Sequence, residues 1–318
     1  HAAAIGIDIQ YSEPAADPAE DAALTAAIAR AGNVVLPVFS ELNTQNSISR
    51  SNDDRWGVWH VPAVSAPLPS LSAAAAVGHI NTVPQKSDGV VRSIVPCLEA
   101  DGVTYDSFDQ VLWETAAKGL GVVPVPPGGY SRNAASPLSD MTPPRIDFIT
   151  EPGGYGYISM STLLDGSLDP AFFENAIVLV GMYASGIKQD EYPTPLARMQ
   201  PMAGVEIHAN ILQNFMEGRF REESIILDLL MILLPALLVM VAGRWLSPIW
   251  NLGPLMVGIG GGWLAARSLY DTGWVVTLLF PLAAVLLVYL AQLVVRYVEN
   301  RLERKRITDL FGTYVAPE

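Results

Sequence analysis

Three apolar stretches in series between Ser224 and Val295 leave this chain few ways to fold. Crossing about 30 Å of hydrocarbon takes roughly 20 mainly apolar residues, because a helix rises about 1.5 Å per residue and satisfies its own backbone. Ser224–Gly243 meets that requirement with one carboxylate, Asp228, a turn inside its start. Ile249–Ala266 is shorter and uncharged, and Trp274–Val295 is long and uncharged. Trp245, Trp250 and Trp274 stand near the ends, where amphipathic rings favour the membrane–water boundary. The pattern predicts three transmembrane helices over residues 224–295, not the buried helices of a soluble protein.

Basic residues orient them. Arg244 follows the first stretch, Arg267 ends the second beside Asp271, and the third runs into Arg296, Arg301, Arg304, Lys305 and Arg306. Short flanks rich in Lys and Arg stay in the cytoplasm, so residues 296–318 are expected there, as a juxtamembrane helix and the start of an output-domain linker. Three crossings then place residues 1–223 outside. Of the 32 acidic residues 26 precede Ser224, as do 12 of the 19 basic ones, so the outer part carries −14 and the remainder +1. That acidity excludes nucleic acid as a partner. Export requires a membrane signal ahead of residue 1, whereas His1–Asp8 has the look of a strand within a domain. The chain is therefore expected to be a fragment at both ends, with an N-terminally incomplete sensor domain. Cys97 is the sole cysteine, so no internal disulfide forms, and about 220 residues hold a core without one.

The outer part is expected to be α/β, joined to all-α transmembrane helices and a cytoplasmic linker helix. Ala3–Ile9 is a strand-like apolar run; Asp17-Pro18 offers a cap and first-turn proline for a helix over 18–31, closed by Gly32; Asn33–Phe39 is the next strand. Val77–Val83 and Val90–Leu98 are expected as strands joined through Lys86-Ser-Asp-Gly89. Asp101-Gly102 turns into a short strand and a helix over about 105–118. Gly119–Thr142, rich in Pro and Gly, is a surface excursion. Ile146–Ile149 and Ala176–Val180 are further strands, and a helix over Val205–Glu217 feeds almost directly into the first span.

Few residues invite chemistry. Gly181-Met-Tyr-Ala-Ser-Gly186-Ile-Lys188 follows a strand as a phosphate-binding loop would, but it has an extra residue before the lysine and no hydroxyl after it. Tight-turn glycines account for it better. Glu206 and His208 are two apart, on different faces of a helix, and His60 and His79 lack neighbouring ligands, so helix packing or hydrogen bonding explains them before a metal does. No nucleophile–base pair stands out. Asp8 and Glu13 flank a strand's carboxyl end, where α/β proteins place binding residues. With Asp88, Arg92 and Asp190 they are the candidate lining of a pocket for an extracytoplasmic ligand of unknown identity. In the membrane part, Gly258-Ile-Gly-Gly-Gly262 permits close helix approach, within the bundle or across a dimer.

The order of Ile7-Asp-Ile-Gln-Tyr-Ser-Glu-Pro14, Asp21-Ala-Ala-Leu24, Gly32-Asn-Val-Val-Leu-Pro37, Asp88-Gly-Val-Val-Arg92, Ile177-Val-Leu-Val-Gly181, Asp190-Glu-Tyr-Pro-Thr-Pro195 and Gly204-Val-Glu-Ile-His-Ala-Asn210 resembles the second type of CHASE extracellular sensor domain. The three following spans match that family's arrangement, in which a further transmembrane helix precedes the sensor. Such sensors serve nucleotide cyclases, histidine kinases and diguanylate cyclases. Arg306-Ile-Thr-Asp-Leu-Phe-Gly-Thr-Tyr-Val-Ala-Pro-Glu318 is similar to the segment leading into bacterial class III adenylate cyclases, with Ala316 in place of the usual serine. The resemblance implies a homodimeric, multi-pass receptor of the bacterial inner membrane that makes cyclic AMP and pyrophosphate from ATP. Two divalent ions, Mg²⁺ or Mn²⁺, would act in a catalytic domain beyond residue 318, so no catalytic residue and no cofactor is expected in this chain. A sensor histidine kinase is the alternative. Val294, Val295, Val298 and Leu302 keep a helical three-to-four spacing that breaks at Ile307, a joint expected to carry the signal between paired helices.

Overall fold

A computed structural model describes residues 1–41, 59–85, 87–124, 143–183, 190–197 and 199–314. The chain divides into two units, His1–Glu222 and Glu223–Glu318.

In the first unit, β1 (Ala4–Asp8), β2 (Val34–Val38), β4 (Ala76–His79) and β7 (Ile177–Gly181) form a parallel sheet in the order β4-β2-β1-β7. The crossover from β1 to β2 is α1 (Pro18–Ala31), with the Asp17 side chain accepting from Ala19 N, Pro18 in the first turn and Gly32 closing it at φ +69°. The helix has the expected bounds, and each strand is one residue shorter at both ends than expected. Strand β2 is buried throughout and carries Pro37, which has no N–H to give. Its pairing with β1 stops at Gly6↔Val35, two residues short of the proline, so no bond to β1 is lost there.

Helices cover both faces of the sheet. Ile28 of α1 and Leu71 of α2 (Pro69–Ala74) pack on Leu36. On the other face α3 (Phe108–Leu120) and α5 (Gly204–Glu217) bury Phe108, Leu112, Trp113, Ile207, Ile211 and Phe215 against Val35. Helix α3 lies directly on the sheet because Gly78 offers no side chain. A Cβ there would come 2.6 Å from Phe108 Cα. A small sheet of β3 (Trp59–His60), β5 (Cys97–Ala100) and β6 (Val103–Asp106) turns at Asp101-Gly102, as expected.

Three expected strands are corrected. The segment Val90–Leu98 is extended but enters the small sheet only at Cys97, and the strand expected over 77–83 is the shorter β4. Ile146–Ile149 is not a strand. Its backbone is held by asparagine side chains of α5: Asp147 N donates to Asn214 Oδ1 (2.7 Å), Asn214 Nδ2 donates to Asp147 O (2.9 Å), and Ile149 N donates to Asn210 Oδ1 (2.9 Å). Four helical residues rise about 6 Å and two extended residues about 6.6 Å, so one helix turn matches two steps of the strand-like chain. The excursion over 119–142 lies outside the described residues from 125 onward. The remaining short elements are α4 (Met160–Leu164), β8 (Glu191–Tyr192), β9 (Met202–Ala203) and β10 (Glu222–Glu223).

The second unit contains α6 (Ile225–Trp245), α7 (Leu252–Asp271), a short strand β11 (Trp274–Val275) and α8 (Leu279–Tyr314). Among the described residues two helices are long and apolar enough to cross a membrane: α6, with mean hydropathy 2.8, and α8 over Leu279–Leu310, at 2.0. Only 11% of each apolar window is buried, the reverse of a core helix in a water-soluble protein. Helix α7 falls outside that pair, and Trp274, expected to open the third span, lies in β11 instead. Val239, Leu255 and Val285, one from each helix, form the bundle core, and a Cβ on Gly258 would come 3.4 Å from Pro235 Cβ and 3.7 Å from Val285 Cγ1. The glycine-rich stretch thus serves contact inside the bundle at Gly258. A Cβ on Gly260, Gly261 or Gly262 would meet nothing within 4 Å.

Candidate sensing site at the carboxyl edge of the parallel sheet

The chain proceeds from β1 outward through β2 to β4, then returns to the other side of β1 as β7. Such a reversal leaves a crevice at the carboxyl ends of the two adjacent strands, here Asp8 and Gly181, which face each other in register. The first turn of α5 sits on this edge: a Cβ on Gly181 would come 2.8 Å from Val205 Cβ. Gly204 opens α5, donates its N–H to Asp190 O at 2.9 Å and carries the Asp190 carboxylate against its Cα. Any side chain at 204 would displace that carboxylate.

Behind it lies a buried ion pair that the sequence did not reveal. Asp109, in the first turn of α3, places its two oxygens 3.1 and 3.0 Å from His208 Nδ1 in the second turn of α5. Asp109 is 1% and His208 4% exposed, and Phe108 meets the imidazole edge-on with centroids 5.4 Å apart. Burial disfavours an imidazolium, but Asp109 in contact, helped by Asp8 and Asp190, holds the His208 pKa up to about 9. Burial leaves Asp109 above the usual carboxylate range even with the imidazolium pulling it down, and the proton of the pair resides on His208. Nδ1–H of the imidazolium then donates to Asp109. Asp190, half-buried and close to Asp8, is pushed up to about 6 by burial first and by the Asp8 charge second, with His208 opposing.

Three carboxylates around one imidazolium leave the edge acidic, with one carboxyl poised to exchange a proton in mildly acid water. Nucleophilic catalysis is not what this geometry offers. Ser107 Oγ is 3.5 Å from Asp109 Oδ2, but the carboxylate stands between hydroxyl and imidazole, and its basicity is spent on His208. Among the described residues no group of three His, Cys, Asp or Glu side chains is disposed to hold a metal ion.

Of the five residues singled out as pocket lining, two come together. Asp8 and Asp190 share the edge. Asp88 and Arg92 form a bidentate ion pair (2.9 and 2.7 Å), and Arg92 also donates to Gln85 at 2.6 Å, closing the turn that Gly89 makes at φ +69°. Glu13 is exposed in the loop after β1. His60 faces Glu99 at 3.6 Å across β3 and β5. His79 is buried and neutral: burial holds its pKa down to about 3, the Pro96 carbonyl opposing and the His208 charge adding to it. Neither ring nitrogen of His79 has a hydrogen-bond partner of normal geometry, although the Pro96 and Val95 carbonyls lie near. Glu206 accepts from Gly153 N at 2.8 Å, on a different face of α5 from His208, as their spacing predicts. The loop over 184–189, which holds most of the phosphate-loop look-alike, lies outside the described residues.

The exit from this unit is also built. Helix α5 ends at Glu217, the expected bound, closed by Gly218 at φ +64°, and residues 218–224 connect it to α6. Arg221 exchanges backbone hydrogen bonds with Arg145 (2.8 and 3.0 Å), and its guanidinium meets Asp147 at 2.8 Å. Phe220 packs on Phe215 with centroids 4.8 Å apart. The connector is thereby tied to the segment that the asparagines hold on α5, and α5 carries both His208 and, at its start, the contact with Asp190.

No curated protein and no solved structure matches this chain. The CHASE2 domain matches residues 1–243, more than three-quarters of the sequence. With an α/β unit followed along the chain by apolar helices, the chain belongs to the CHASE2 family of extracellular sensor domains of signalling receptors.

Proposed function

We propose that this chain is the sensing and transmembrane part of a homodimeric, membrane-bound class III adenylate cyclase whose catalytic domain follows residue 318. The sensor faces the outside of a bacterial inner membrane, three helices cross it, and the basic segment Arg296–Arg306 lies in the cytoplasm. Asp8 and Asp190, backed by Asp109 and His208, receive the extracytoplasmic stimulus. Mg²⁺ or Mn²⁺ serves the catalytic domain, where two such ions align the ribose hydroxyl and the leaving pyrophosphate.

One observation carries this reading. Helix α8 runs unbroken from the apolar Leu279–Val295 through the basic cluster to Tyr314, into the segment similar to the cyclase approach. A continuous helix delivers a rotation or shift of the membrane part to whatever follows. The step of five between Leu302 and Ile307 lies within it, in the stretch where paired helices would change register.

The full gene product in membranes should convert ATP to cyclic AMP with Mg²⁺ or Mn²⁺, and the chain ending at Glu318 should not. A full-length protein that makes none and instead phosphorylates a histidine on a cytoplasmic helix would replace the cyclase with the kinase. With Cys97→Ser as background, an impermeant thiol reagent should label Asp101→Cys in whole cells and spare Arg301→Cys. The opposite labelling inverts the topology and ends the proposal.

A further inference from the structure

We propose that α6 and α8 are locked side by side by α8 side chains gripping α6 carbonyls, so that the two helices move as one body while α7 serves as the jig that aims the grip. Gln292 Nε2 donates to Val239 O at 3.2 Å and to Met240 O at 2.9 Å, and the Arg296 guanidinium donates to Gly243 O. Donors one helical turn apart meet acceptors one turn apart, rising in the same direction along both helices, as a parallel pair in fixed register requires. At the other end of the pair, Thr277 N, two residues before α8, donates to Asp228 Oδ1 at 2.8 Å. The pair is tied at top and bottom.

Val239, Leu255 and Val285 hold the helices together by packing, and the directional bonds add a specific register to it. The grip depends on an absent side chain: a Cβ on Gly243 would collide with the Gln292 amide. Its direction is set by α7. Asn251, the residue before α7, accepts no capping bond from its own helix and instead gives Nδ2–H to Gln292 Oε1 at 2.7 Å, which turns the Gln292 nitrogen toward α6. Tyr289, one turn earlier on α8, donates to Pro248 O at 3.2 Å, a bond to the connection between α6 and α7 that the grip does not use.

Since α6 follows the sensor in the chain and α8 leads to the C-terminus, a locked pair passes displacement across the membrane without loss in α7. The test is the spread of distances between spin labels at Trp245→Cys and Val298→Cys, both exposed, in the whole chain carrying Cys97→Ser in lipid nanodiscs. The wild-type pair should give one narrow distribution. Gln292→Leu with Arg296→Met should broaden it about twofold or more, since both donors from α8 to the α6 carbonyls at that end are lost. Gln292→Met, closer in shape, should broaden it to a lesser degree and covers failure of the double variant to insert. Tyr289→Phe should keep the native width. An unchanged width in both Gln292 variants overturns the lock, and so does equal broadening by Tyr289→Phe, which would mean a generally loosened bundle.

Discussion

Replacing Asp109 with asparagine probes the buried pair through the pH dependence of stability. In the folded chain His208 titrates near 9, against 6.5 for a free imidazole, a difference of about 3 kcal/mol in favour of the protonated form. Between those two values the folded state binds the proton that the unfolded state has released, so stability falls as pH rises. The contribution is fully present below 6.5 and gone above about 9. Urea unfolding of the wild-type chain in nanodiscs, followed through Trp113 in the core, should show a fall of about 3 kcal/mol across that interval. Asp109→Asn keeps a hydrogen-bond partner for the imidazole but removes the charge that outweighs burial. The His208 pKa should then drop by more than one unit, as a ¹³C-histidine NMR titration would read, and the alkaline slope should flatten. The difference between the two stability curves cancels every group common to both. It should shrink toward alkaline pH and reverse above about 9, where the wild type retains a buried carboxylate without its counter-charge. A His208 pKa at or below 6.5 in the wild type, or parallel stability curves, would refute the assignment of the proton and the electrostatic account of this edge.

Asp190→Asn should stabilise the chain by roughly 1 kcal/mol at neutral pH, the cost of a carboxylate held up to about 6 being discounted for its half-exposure. Because the wild type loses this stability as pH rises from 3.8 through about 6, the gain should vanish below 3.8, as paired urea titrations would show. Gly78→Ala should cost about 1–3 kcal/mol, because its Cβ meets Phe108 backbone that cannot rotate away; a lowered His208 pKa in the same variant would register the displacement of α3. Asn214→Ala strips Asp147 of both backbone partners and should cost about 1–3 kcal/mol, with amide exchange accelerating over 145–149 while β1 and β7 stay protected. Uniform acceleration across the sheet would show that the asparagines hold the whole unit and not that segment alone.

The local features of this chain were legible because their causes are local. Asp17, Pro18 and Gly32 mark the ends of α1 whatever surrounds them, and aliphatic runs such as Ile177–Val180 suit a buried strand in any sheet. The apolar lengths of α6 and α8 and the order of the sensor motifs likewise lie on the sequence itself. Ile146–Ile149 carries the same strand signal, but Asp147 and Ile149 bond to asparagines more than 60 residues away and Ile146 N to the Arg92 carbonyl. Propensity knows the backbone's appetite for partners and not who supplies them. Asp109 and His208, 99 residues apart, could not be paired in advance, since neither stands in a motif and each is an ordinary helix residue until α3 and α5 cross on the sheet. Asp88 and Arg92 show the converse: four residues apart, they satisfied each other locally when a shared pocket had been expected. Gln292, one amide in an apolar run, acquires partners only when the bundle brings Asn251 and the α6 carbonyls to it. Elements with local causes were therefore set by sequence. The charges that meet across the sheet's edge, and the register of the helices beyond, were decided by tertiary packing, because electrostatic and hydrogen-bond energies depend on distances that separation along the chain does not fix.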